Sequence, residues 1–70
     1  MDNVEKSAFN RGEYVGYGGG LVWRIEKSNS SFGNWEARPV AGHDNDLRVM
    51  NTILYAFRLR DMATKIKEAR

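Results

Sequence analysis

From Leu21 to Lys27 apolar and polar side chains alternate. Leu21, Trp23 and Ile25 point one way, and Val22, Arg24 and Glu26 the other. Asn34 to Val40 alternates again, with Trp35 and Ala37 on one side and Glu36 and Arg38 on the other. A period of two marks a half-buried strand. Between the runs, Ser28 to Gly33 is polar and ends on glycine, as a loop does. Together they predict a β-hairpin over 21–40, with an inner face of Trp23, Ile25, Trp35 and Ala37 and an outer face of Arg24, Glu26, Glu36 and Arg38. Pro39 cannot donate to a ladder, so it belongs at a strand end or on an edge.

Charge suggests a register for this hairpin. Like charges directly opposite destabilise a strand pair, and unlike ones help, by a few tenths to about 1 kcal/mol. Pairing Ile25 with Ala37 sets Arg24 against Arg38 and Glu26 against Glu36. Sliding by two residues sets Arg24 against Glu36 and Ile25 against Trp35, with every side chain still on its own face. That register is the expectation. The opposite slide, Glu26 against Arg38, needs a longer loop.

The flanks are less regular. Residues 1–12 show no period and are expected to form a flexible or weakly ordered arm. Glu13 to Tyr17 suits a short strand weakened by Gly16, and Gly18-Gly19-Gly20 should break any regular element. Beyond the polar stretch Ala41 to Asn45, residues 46–70 contain neither Gly nor Pro. Leu47, Met50, Leu54 and Phe57 share one helical face, while Leu59, Met62, Ala63 and Ile66 share another, about half a turn away. One straight helix would have to bury opposite faces. Thr52 to Phe57, rich in β-branched and aromatic residues, is therefore expected to be a further strand, the other reading being two helices that meet near Arg58. The stripe Leu59, Met62, Ala63, Ile66 predicts a helix over 59–69, with Asp61 and Lys65 spaced for an i,i+4 ion pair and no good N-cap before it.

These elements assemble into an α+β fold. A small antiparallel sheet of three or four strands packs on one C-terminal helix, the whole of 13–70 forming a single small domain. Trp23, Ile25, Trp35 and Ala37 would meet Leu59, Met62 and Ile66.

Composition narrows the chemistry. At 70 residues the chain is one small domain's length, and without cysteine it has neither disulfides nor a thiolate metal site. No apolar run approaches the ~20 residues of a membrane span, and the N-terminus lacks the apolar centre of a signal peptide, so a cytoplasmic protein is expected. Starting at Met without a long linker, the chain is expected to be a small gene product in its own right. Net charge is only +2. Residues 58–70 hold five basic and two acidic side chains, a local +3 that a helix C-terminus itself favours.

No constellation points to catalysis. His43, Asp44 and Asp46 offer one imidazole where a structural metal site wants about four ligands, so a polar loop is the expectation and no metal or cofactor is assigned. Gly16 and Gly18 to Gly20 precede a strand rather than a helix, unlike a phosphate loop. One His and several loop serines do not make a triad, and Glu26 and Glu36 are expected on an exposed sheet face. The expectation is a protein without enzymatic activity.

What remains is binding. Arg24, Lys27 and Arg38 on the sheet, with Tyr14, Tyr17 and Phe32 at or near loops, have the composition of interface hot spots and are the candidate partner-binding residues. The predicted topology of hairpin, third strand and C-terminal helix resembles that of the arm-site-binding domains of phage integrases and of plant AP2-type domains. That resemblance implies DNA reading through the sheet, against which stands the mixed charge of the face. The first expectation is a phage or mobile-element accessory protein that occludes a host protein or protein–nucleic-acid complex, such as a defence or transcription machinery. The second is a module that binds DNA or RNA directly through the sheet. A third is a homodimer, joined at a strand edge or along the Leu47/Met50 stripe. No membrane partner is expected.

Overall fold

The alternating run at Leu21–Lys27 is the central strand of a five-stranded antiparallel sheet in the computed structural model, which describes residues 2–42 and 52–69. In chain order the strands are β1 (Val4–Lys6), β2 (Tyr14–Gly18), β3 (Leu21–Lys27), β4 (Trp35–Gly42) and β5 (Leu54–Ala56), followed by helix α1 (Leu59–Glu68). Their spatial order is the same, β1-β2-β3-β4-β5, a simple meander. The sheet, the C-terminal helix, the 21–40 hairpin and the strand within 52–57 follow the expectation. The strand count does not, because Val4–Lys6 lies inside the stretch expected to be an arm and pairs with β2 as Val4↔Gly16, Glu5↔Val15 and Lys6↔Tyr14. Three residues are too few to display a period. The Leu47/Met50 stripe and the His43, Asp44, Asp46 group lie outside the described residues.

The hairpin register is the one charge argued against. Ile25 faces Ala37, Arg24 faces Arg38 and Glu26 faces Glu36. Each arginine finds its carboxylate elsewhere. Arg24 Nε lies 2.5 Å from Glu13 and its Nη2 3.9 Å from Glu26, while Arg38 Nη2 lies 3.5 Å from Glu36 on its own strand. The core decides the rest. Ile25, Ala37, Met62 and Ile66 are fully buried, and the small Ala37 leaves room beneath α1. In the expected register the Trp35 indole would occupy that place. It sits instead at the sheet's end opposite Lys27, edge-on to Tyr14 with ring centroids 5.5 Å apart. Burying a large aliphatic side chain is worth about 1.5–3 kcal/mol, more than the cross-strand charge effect. Pro39, opposite Trp23 and of Ala37's parity, is buried on the covered face, and the register shifts just beyond it, between Val22 and Trp23.

Glycine sets the distance between helix and sheet. Gly16 and Gly18 belong to β2, not to a break after it, and they lie directly under Ile66. A Cβ at Gly18 would stand 2.6 Å from the Ile66 carbonyl carbon, so only a bare strand lets the helix backbone this close. Gly19 and Gly20 form the two-residue turn into β3 at φ 64° and 74°, the left-handed pair such a hairpin needs.

The core comprises Val4, Leu21, Trp23, Ile25, Ala37, Ala56, Met62, Ala63 and Ile66. Trp35 and Leu59, expected within it, are partly buried at its margin. Trp23 Nε1 donates to the Gly18 carbonyl at 3.0 Å, and no side-chain polar atom is buried unpaired among the described residues. The helix starts at Leu59, and its N-cap residue Arg58 makes no side-chain cap, as expected. Its Asp61 and Lys65 do not pair; Lys65 Nζ donates instead to the Tyr55 carbonyl of edge strand β5.

Candidate functional site: the uncovered face of the sheet

Among the described residues, α1 covers one face of the sheet and the residues of opposite parity lie on the other. Successive side chains of a strand point to opposite faces. The uncovered face therefore carries Val15 and Tyr17 from β2, Val22, Arg24 and Glu26 from β3, Glu36 and Arg38 from β4, and Tyr55 from β5. Its middle is the pair Arg24 and Arg38, side by side on neighbouring strands with side chains 52% and 56% exposed. Glu13 reaches Arg24 from the end of the β1–β2 connection, and this ion pair raises the arginine's pKa, keeping it charged.

The structure divides the candidate residues. Arg24, Arg38 and Tyr17 share the uncovered face, and Tyr17 donates its hydroxyl proton to Glu5 at 2.9 Å. Phe32, 72% exposed in the β3–β4 loop, packs against Tyr55 with centroids 5.8 Å apart and so extends that face at one end. Tyr14 and Lys27 belong to the helix side. Tyr14 is half-buried against Trp35, and Lys27 Nζ lies 5.4 Å from the Trp35 ring centroid, a cation–π contact.

Some contributors lay beyond the sequence pattern. Val15 and Val22 join Tyr17 in an apolar strip because of how β2 and β3 register, with Tyr17 opposite Val22 and Val15 opposite Arg24. Alternation along Tyr14–Gly18 contained the signal for Val15, but the glycines obscured it. Phe9, 94% exposed on the β1–β2 connection, had no pattern to mark it. Ser7 Oγ orders this loop by accepting from the backbone N–H groups of Phe9 and Asn10, each at 3.2 Å.

Tyr17 supplies a pH test. The Glu5 hydrogen bond, a small desolvation and the Glu5 charge all raise its pKa above the ordinary 10. The bond holds while the phenol is protonated, so its contribution is complete below the unfolded pKa and is lost as pH rises through the folded value. Ultraviolet titration of tyrosinate should show Tyr17 ionising above the ordinary range, and Glu5→Gln should bring it back toward the ordinary value. An unchanged titration in that variant would mean the two side chains do not meet.

Chemically, the face offers guanidinium groups held in place by carboxylates, with a phenol and aliphatic area beside them. No group of three or more potential metal ligands occurs among the described residues, and none of their helices is long and apolar enough to cross a membrane. No protein-family model matches the chain, and no curated protein or solved structure does either.

Proposed function

We propose that the protein is a small non-enzymatic binding protein of the phage or mobile-element accessory kind. On this reading it acts in the host cytoplasm by occluding a host protein or protein–nucleic-acid complex. The observation that carries the reading is the uncovered face, where Arg24 and Arg38 stand side by side, each already oriented by a carboxylate, beside Tyr17, Val15 and Val22. Arginine and tyrosine are the side chains that most often dominate interface energetics, and preorganised ones lose less freedom on binding. A defence or transcription complex is the class of target this mode of action suits.

Direct nucleic-acid reading through the same face has less to support it. Four carboxylates (Glu5, Glu13, Glu26, Glu36) share the face and its rim with two arginines, a net −2 that repels phosphate.

Affinity capture from host lysate with the wild-type protein and an Arg24→Glu/Arg38→Glu variant tests the proposal. The double reversal should abolish capture of the specific partner, with truncation of such anchors usually costing 2 kcal/mol or more. Full capture by a folded double variant would remove the sheet face as the interface.

A further inference from the structure

The cations that the fold leaves unpaired are not on the sheet face. Among the described residues, the side chains of Lys6, Arg11, Arg58, Arg60 and Lys67 have no hydrogen-bond or ion-pair partner, whereas Arg24 and Arg38 both do. Lys6 has the parity of the buried Val4 and so emerges on the helix side of β1. At about 100° per residue, Arg60, Thr64 and Lys67 fall within roughly 60° of one another on α1, and all three are exposed. Asp61, Lys65 and Glu68 occupy the other flank of the exposed helix surface, so no acid interrupts the Arg60–Lys67 stripe. The stripe borders Ala63, whose carbonyl accepts from Asn3 Nδ2 at 2.9 Å; this contact turns it toward β1 and Lys6.

The described residues are therefore electrically two-sided. From Arg58 to Glu68 there are four cations and two acids, a net +2, while the opposite face is net −2. A polyanion meeting such a dipole is steered to one side of it. We infer that the Arg60–Lys67 stripe with Lys6 is a sequence-independent contact surface for the phosphate backbone of a nucleic-acid duplex, separate from the sheet face. The two surfaces together suit a complex that contains both protein and nucleic acid, but the phosphate contact stands on its own charges and does not rest on the sheet-face proposal.

Fluorescence anisotropy of the intact protein with a short labelled DNA duplex, titrated between about 50 and 200 mM salt, tests the inference. Three neutralised phosphates give a log–log slope of about −2.7, a loss of roughly 40-fold in affinity over that range. Arg60→Glu/Lys67→Glu should abolish binding. The neutral Arg60→Gln/Lys67→Gln, at exposed positions and confirmed folded by circular dichroism, should weaken binding and lower the slope by about 2. Arg24→Glu/Arg38→Glu should leave the slope unchanged. The inference would be overturned by no binding at about 50 mM salt, by a slope that the Gln pair does not alter, or by equally strong binding of polyglutamate, a polyanion without phosphate. Loss of duplex binding only in the Arg24/Arg38 variant would move the contact to the sheet and overturn it too.

Discussion

Gly18→Ala is expected to cost about 3 kcal/mol, the upper end of what overpacking does. The new methyl would meet the Ile66 carbonyl, part of the helix backbone, and a helix cannot yield there without lifting off β2. Gly16→Ala is the internal control. Its methyl would stand 2.8 Å from Ile66 Cδ1, the far end of a side chain that can rotate away, so a cost nearer 1 kcal/mol is expected. Urea denaturation of the two variants measures the difference. Equal midpoints would show that α1 is not seated on the glycine strip.

Trp23→Ala should be the most damaging single truncation. The indole is 1% exposed and lies in the core with Ile25, Met62 and Ile66. Emptying such a site costs about 3–5 kcal/mol, much of the stability available to a chain this short. Trp23→Phe should fall between, since it keeps most of the volume but leaves the Gly18 carbonyl without its donor, a loss of about 1–3 kcal/mol. Fluorescence provides the readout. In the folded wild type, Trp23 should emit from an apolar environment and Trp35 from a wetter one. A Trp23→Ala variant with a full cooperative transition near the wild-type midpoint would refute the core assignment.

These two residues also explain which parts of the structure were legible in the sequence. Trp23 and Ile25 announced themselves because a strand with one buried face imposes a period of two, and Met62 and Ile66 because a docked helix imposes its own. Gly18 did not, since its role is to be absent where the helix passes, and that depends on an element 40 or more residues away in the chain. The observed register departs from the charge-matched one for a related reason. Opposite charges were matched across one strand pair, while Arg24 answers to Glu13 from the connection before β2. A two-strand argument cannot include a third participant. The candidate site was legible in its arginines and in Tyr17, whose faces follow from parity. Tyr14 and Lys27 fall to the helix side because Tyr14 faces Ile25 and Lys27 has Ile25's parity on β3.

The bond between Asn3 and Ala63 links positions 60 residues apart, and Asn3 Nδ2 also donates to the Tyr17 carbonyl. One side chain thus holds the first strand, the second strand and the last helix together. A chain emerging from the ribosome can build the meander as it appears, but the Asn3–Ala63 bond needs α1 to have been made. Until then Asn3 lacks one of its two carbonyl partners. The same bond brings residue 3 and the last helix to one corner of the molecule, so that linking the two there and opening the chain at exposed Ser31 in the β3–β4 loop should preserve every strand pairing.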